Sequence, residues 1–315
     1  MAVTLREVAG RAGVSPATVS RAFGHPEKVD PRTLEIVRNA AMELGYSPNL
    51  AARSLVTGKR GRVAVLVPDL TNPFFATVLR GAVGALGSLG VQALVGDFAD
   101  DPHREVELVR SMSRDVDGFI LCSPRMSDDD LSALAAESPL VLVNRTSESV
   151  PYIHYDNADG IGQSVRHLRA LGHRRIGYAA GPESSRSARE RLVAFRRFGD
   201  GVELGHFPST FEGGESAADA ALEAEVTALL AYNDVQAIGV IHRLTGYNAA
   251  LPARMSIIGF DDIPIARMIT PALTTIAAPQ EAVGAAAARL LLDENPESVE
   301  MAVTLQVRDS TALYH

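Results

Sequence analysis

Two periodicities share this chain, and the pattern changes near residue 60. Up to Gly45, apolar positions recur at helical spacing: Leu5, Val8, Ala9 and Ala12 on one face, then Leu34, Ile36, Val37, Ala40, Ala41 and Leu44. Start and stop signals bracket these runs. Thr4 with Glu7 forms a capping box, and Gly13 permits a tight turn. Ser15 can cap a second helix with Pro16 at its first position, running to about Phe23. Asp30 and Pro31 repeat that signal for a third helix, which Gly45 ends. From Arg62 onward, short β-branched runs alternate with helical patterns. Strands are predicted at 63–69, 91–98, 117–123, 139–144, 152–156, 174–181, 226–234 and 255–262, with helices at 74–89, 105–114, 162–173, 188–198, 236–244 and 281–292. Such alternation predicts parallel sheets covered on both faces, here an α/β body of two doubly wound lobes. Ligands of these sheets bind at the carboxyl ends of the strands, so the cleft between the lobes is the expected site.

Two short helices across a glycine-containing turn, with a third behind them, make an all-α helix-turn-helix head. The second helix of that motif enters the major groove of DNA, and its N-terminal residues meet base edges. Here these are Pro16, Ala17 and Thr18, then Ser20 and Arg21 one turn on. Arg21 alone offers a long donor fork, suited to a guanine, while Pro16 and Ala17 offer only apolar contact. Thr4, Ser15, Thr18 and Ser20 suit phosphate contacts that position the head. A helical bundle that binds protein is the competing reading. Next come Ser47-Pro48-Asn49, LAARSL at 50–55, and Thr57-Gly58-Lys59. A helix this short is unstable alone in water and would order only against something else. Leu55 is a candidate wedge for a minor groove, or else one leucine of a linker packed on the body. Asn49 joins the candidate DNA contacts.

Charge follows the same division. Residues 1–60 carry nine lysines and arginines against five acids, and the remainder carries 21 against 33. The net −8 therefore hides a basic head on an acidic body, which suits polyanion binding by the head. No apolar run approaches the ~18 residues of a membrane span. No charged segment leads into an apolar stretch as in a secretory signal. The single cysteine, Cys122 in GFILCS, reads as a buried strand residue, and a reducing cytoplasm is the expected location.

Catalysis finds no footing in this sequence. P-loop, GxSxG, HExxH and dinucleotide fingerprints are lacking, and the glycines of GAVGALGSLG lie inside a helical pattern. His154, His167, His173, His206 and His242 show no metal-ligand spacing. No enzyme activity, metal or cofactor is expected. The C-terminal RDSTALYH carries no leucine heptad, so no coiled-coil tail is expected.

TLREVAGRAGVSPATVSR at 4–21, followed by GYSPNLAARSL at 45–55, resembles the signature of the lactose-repressor (LacI/GalR) family of bacterial regulators. The similarity runs over essentially the whole chain. It implies a body like that of the periplasmic sugar-binding proteins and a homodimer whose heads read a palindromic operator. It implies hinge helices that fold at the operator's centre, each inserting a leucine, here Leu55. The protein would be nucleoid-associated when bound to DNA. The implied parts are a head at 1–47, a hinge helix and linker at 48–61, an N-terminal lobe at 62–157 with 279–298, and a C-terminal lobe at 158–278 with 299–315. The chain would cross between lobes near Asp156–Asp159, Ile276–Gln280 and Glu297–Ala302.

Matched position by position, the family's motifs imply effector contacts in both lobes. They fall at Phe74 and Phe75 in TNPFF, Asn144 after VLV, Asp156 in YDN, Ser187 and Arg191 in SARERLVAF, Phe207, Asn233 in AYND, and Asp261 in GFDD. The chemistry is coherent: Arg191 is a planar donor fork, the acids and amides accept, and an aromatic ring can cover an apolar sugar face. Asp156 and Asp261 can equally be helix caps, Phe74 or Phe75 core, and Arg191 the partner of a structural carboxylate. Only 16 residues separate Arg191 from Phe207, fewer than usual in the family, and FRRFGDGVELGHF reads as a truncated helix and loop. Purine-responding members carry an arginine where Ser185 stands, so a neutral sugar or polyol is the expected effector. A purine or other small metabolite is the alternative, and a sugar-binding protein without a DNA role a more distant one.

Overall fold

The computed structural model describes residues 3–24, 28–46, 60–199 and 201–314. The chain divides into two compact units, one ending at Gly61 and one beginning at Arg62. Of the hinge and linker expected at 48–61, residues 48–59, with Asn49 and Leu55, lie outside the described residues.

In the first unit the start signals translate into helices α1 (Leu5–Ala12), α2 (Pro16–Gly24) and α3 (Pro31–Leu44). Thr4 and Glu7 close the capping box in both directions, and Gly13 ends α1 at φ 67°. Asp30 accepts from the amides of Arg32 and Thr33 at 3.0 and 3.2 Å. The core is built from Val8, Ala9, Val19, Ala22, Val37, Ala40 and Ala41. Ile36 stands off that face, 47% exposed.

The second unit contains two six-stranded sheets of the same order. The first is built from β1 (Arg62–Val67), β2 (Gln92–Asp97), β3 (Phe119–Cys122), β4 (Leu140–Val143), β5 (Tyr152–Tyr155) and β11 (Val299–Met301), in the order β11-β5-β4-β3-β1-β2, all parallel. Its helices are α4 (Pro73–Ser88), α5 (Pro102–Met112), α6 (Asp128–Glu137) and α11 (Gln280–Leu292). The second sheet has β6 (Ile176–Ala180), β7 (Val202–His206), β8 (Ala228–Ala231), β9 (Ser256–Asp261), β10 (Thr274–Ala277) and β12 (Thr304–Gln306), in the order β12-β10-β9-β8-β6-β7. Only the β10–β12 pair is antiparallel. Around it lie α7 (Asn157–Ala170), α8 (Arg186–Arg196), α9 (Phe211–Glu223) and α10 (Asp234–Gly246). Both sheets are doubly wound, and buried β-branched strands such as VAVLV need no polar face. Cys122 is fully buried within β3, and burial pushes its thiol up to about 12.

Three features depart from the sequence reading. VELGH is an edge strand, β7, and not a loop: Val202 and Leu204 are half-buried while Glu203 and Gly205 face solvent, the period of a strand. The chain has helices at α6 and α9, capped by Ser127 and Thr210. The buried face of α9 is Gly213, Gly214, Ala217, Ala218 and Ala221, small residues that leave a faint apolar signal. Lastly, β11 pairs with β5, so residues 299–301 join the first sheet and the division expected at 298/299 falls after Met301.

Each lobe closes one helix pair through glycines. A Cβ on Gly284 of α11 would overlap the carbonyl oxygen of Val78 in α4, and one on Gly81 that of Glu281. In the second lobe, Gly214 and Gly239 meet Gln236 and Phe211 in the same way. Backbone cannot yield as a side-chain end can, so Gly284→Ala should cost about 3 kcal/mol, the upper end of ordinary overpacking. Urea unfolding of the purified variant checks this; an unchanged midpoint would show that the helices have room.

Candidate functional site

The loops that leave the strand carboxyl ends of the two sheets meet around one pocket. The first lobe contributes Pro68, Asp69, Asn72, Phe74, Phe75, Asp100, Ser123, Arg125 and Asn144, and the second Arg191, Ser209, Tyr232, Asn233 and Asp261. Four of these residues hold left-handed backbone: Asp100 at φ 57°, Ser123 at 45°, Asn144 at 59° and Asp261 at 122°. Such strain persists only where surrounding structure imposes it, and it gathers at binding sites.

Arg191 is the centre of the second-lobe wall, its side chain 3% exposed. Its Nε donates to Asn157 Oδ1 at 2.8 Å, and Nη1 donates to the Tyr232 carbonyl at 2.6 Å. Nη2 lies 3.9 Å from Asp261 Oδ1. The guanidinium also stacks 3.4 Å from the Phe260 ring centroid and 5.1 Å from that of Tyr232. The Asp261 carboxyl is pushed well above the usual range, chiefly by burial, with Arg191 opposing and Asp234 adding to the rise. Asn233 caps α10, accepting from the Gln236 amide at 2.8 Å, while its Nδ2 donates to the Ser209 carbonyl at 3.2 Å.

On the first-lobe wall Asn72 caps α4 through the Phe74 amide at 3.0 Å. Phe74 meets Phe75 edge-on at 5.0 Å and Tyr155 at 6.2 Å, so both phenylalanines are core residues and pocket lining at once. Arg125 is held by Asp100 at 2.8 Å and by the Ser123 carbonyl at 2.8 Å. Behind it, buried Glu105 accepts the amides of Arg125 and Met126 on one oxygen, at 2.7 and 2.8 Å. That carboxyl stands at about 7, raised by burial against the pull of those amides and of Arg125 and Arg145.

Of the effector residues read from the sequence, Phe74, Phe75, Asn144, Arg191, Asn233 and Asp261 share this pocket. Asp156 does not line it: its carboxylate caps α7, accepting from the Asp159 amide at 2.8 Å. Ser187 lies behind the wall, hydrogen-bonded to the Tyr232 hydroxyl at 3.1 Å and to Ser185 at 3.0 Å. Phe207 packs against the second-lobe core and leaves the lining to Ser209. Arg125, Asp100 and Tyr232 also line the pocket and Asn157 holds Arg191, four positions that no sequence motif singles out. Arg125 follows β3 closely, and Tyr232 directly follows β8, so the strand-end rule already pointed at two of these positions.

In the head, α2 presents Pro16, Ala17, Ser20 and Arg21 to solvent while Val19 and Ala22 face inward. Ser15 and Thr18 hydroxyls bond each other at 2.9 Å, and Thr4 Oγ1 donates to Glu7 at 2.8 Å. Among the described residues, no helix is long and apolar enough to cross a membrane, and no cluster of three or more His, Cys, Asp or Glu could hold a metal ion.

Comparison with known proteins agrees in both units. Residues 4–49 match the sequence model of bacterial regulatory proteins, lacI family, and residues 165–311 that of a periplasmic binding protein-like domain. The HTH-type transcriptional repressor CytR of Escherichia coli K12 is 34% identical over 308 residues, 93% of this chain and 90% of CytR. The lac repressor dimer bound to operator and the anti-inducer ONPF superposes with a TM-score of 0.83 at 26% identity, covering 99% of this chain and all (100%) of that one. A transcriptional regulator CelR–cellobiose complex gives 0.71 at 28% identity, covering 98% and 100%.

Proposed function

The chain belongs to the lacI family of bacterial regulatory proteins, and we propose that it is a cytoplasmic, ligand-responsive repressor without catalytic activity. As a homodimer it reads a palindromic operator through Pro16, Ala17, Thr18, Ser20 and Arg21, with Thr4 and Ser15 on phosphates. Asn49 and the Leu55 wedge complete that surface on sequence grounds alone. The parts are a head to residue 47, a hinge at 48–61, and two lobes whose third crossing follows Met301. The effector lies in the interlobe pocket against Phe74, Phe75, Asn144, Arg191, Asn233 and Asp261, to which we add Arg125 and Tyr232. Asp156, Ser187 and Phe207 support the site from outside its wall.

The observation that carries this reading is a donor fork, Arg191, beside a buried acceptor, Asp261, in a pocket both lobes share. Donors and acceptors alternating around an aromatic patch suit a neutral sugar or polyol. The cellobiose complex of a 28% identical regulator supports the same class. Closure of the lobes on that ligand would shift the spacing of the heads, a coupling of about 1–3 kcal/mol.

The experiment is a selection of duplex DNA from a random pool by the purified protein, followed by a thermal-shift panel of monosaccharides, disaccharides, polyols, nucleosides and purines. A ligand at about 100 times its Kd adds near 2.7 kcal/mol of native stability, a visible shift. A palindrome in the selected DNA and a sugar hit are expected. A purine hit would move the effector to the alternative class, and DNA with no enriched sequence would overturn the repressor assignment.

A further inference from the structure

The hydrogen bonds of Arg191 continue past the pocket into the other lobe. Asn157, whose Oδ1 accepts from Arg191 Nε, donates through Nδ2 to Glu190 Oε2 at 2.9 Å. The same carboxylate oxygen lies 2.8 Å from His154 Nε2. His154 stands on β5 of the first sheet and Glu190 on α8 of the second lobe, while Asn157 opens α7 just after the chain has crossed. The pair is shielded, its side chains 13% and 29% exposed. Burial pushes the Glu190 carboxyl up, but the contacts from His154 and Asn157 outweigh it and hold the group below its ordinary value. One helical turn earlier, Arg186 lies 3.4 Å from Asp128 of α6, again in the first lobe. Residues four apart share a helix face, so α8 meets the opposite lobe along one edge and the effector pocket along another.

We propose that His154 and Glu190 form an interlobe latch that holds Arg191 in its binding posture. Both are positioning residues, and the proposal rests on the pocket being the effector site. With the lobes together, His154 fixes the Glu190 carboxylate, and that carboxylate orients the Asn157 amide so that its oxygen faces Arg191. When the lobes part, Glu190 loses its first-lobe partner, Asn157 can turn, and Arg191 loses the acceptor at Nε. Lobe angle and arginine posture thus share one network, and a ligand that engages Arg191 acts on the lobes without touching the hinge.

The test uses the full chain without ligand, so its outcome does not depend on naming the effector. Spin labels at Ser132→Cys and Arg197→Cys, one exposed site per lobe, report the interlobe distance; Cys122 is buried and takes no label. The labelled protein is diluted into unlabelled protein to isolate distances within one chain. In parallel, proton exchange at the Arg191 Nε–H is followed by NMR, the signal assigned by its absence in Arg191→Lys. His154→Glu puts like charges face to face; it should lengthen and broaden the distance distribution and speed Nε–H exchange about tenfold. His154→Gln, which keeps a donor, should stay near wild type, and the swap H154E/E190H should restore both readouts. An unchanged distribution and exchange rate in a folded His154→Glu protein would overturn the latch. So would a wider distribution with Arg191 exchange unaltered, since the network would then not reach the arginine.

Discussion

Arg191→Ala is expected to lower affinity for the effector by about a hundredfold or more, and to lower the unfolding midpoint as well, because the buried Asp261 carboxyl loses the guanidinium that faces it. Removing one partner of a buried, hydrogen-bonded charge pair typically costs about 2–5 kcal/mol, and each 1.4 kcal/mol is tenfold in Kd. The loss here would be double. The ligand forfeits a planar fork whose Nε and Nη1 are already fixed by Asn157 and the Tyr232 carbonyl. The site also loses the charge that opposes the rise of the buried Asp261 carboxyl, which then shifts further toward its neutral form. Arg191→Lys should not rescue, since a point charge cannot hold Asn157, Tyr232 and a ligand in one plane. Calorimetric titration with the sugar from the panel reads the effect. Wild-type affinity in the alanine variant would mean that the ligand lies elsewhere. Affinity restored by lysine would mean that charge alone, not the fork, is read.

Much of this site was legible because its residues sit at the ends of patterned elements. Thr4 with Glu7, Ser15 with Pro16, and Asp30 with Pro31 start helices where the chemistry says they should, and the head follows from them. Asn144, Asn233 and Asp261 follow runs of buried β-branched and aliphatic residues, so their place at the pocket follows from the sheet. Where the reading failed, the physical signal was weak or shared. Asp156 and Asn157 are neighbours with nearly the same chemistry, and only the handedness of the helix start decides that the first caps and the second faces Arg191. Phe207 follows a strand whose alternation is carried by Val202 and Leu204 alone, too short to outweigh its glycines. Helix α9 buries glycine and alanine, which no hydrophobic count flags, because close backbone approach and not apolar bulk holds it. Arg125 stands just past a strand end, but what fixes it there, Glu105 twenty residues earlier meeting its amide, leaves no local signal.

Glu105 is also the source of the second large effect, because it is paired in kind by Asp234 in the other lobe. Both are fully buried and both stand at about 7, each raised chiefly by burial against the hydrogen bonds it accepts. Ordinary carboxyls of these types titrate near 4.5 and 3.8. Between those values and 7 the folded chain therefore holds protons that the unfolded chain has released, and stability must fall as pH rises through that window. At about 1.4 kcal/mol per pKa unit, each group withdraws on the order of 3 kcal/mol, so together they rank with the Arg191 effect. The amide isosteres fit both sites. Glu105 receives its two amides on one oxygen and its other oxygen is buried without a partner, so Gln can present the same acceptor. Asp234 accepts from the Ile263 amide at 2.8 Å and from the Thr275 hydroxyl, and a hydroxyl can turn to accept from Asn. The double variant E105Q/D234N should therefore match wild type only below about pH 3.8 and gain stability over it steadily up to about pH 7. His167 and His173, lowered by burial, give a slope of the opposite sign, but it is common to both proteins and cancels in the difference. Urea midpoints across that range read the result. Parallel curves would mean that both carboxyls ionise in the folded protein as freely as in the unfolded chain.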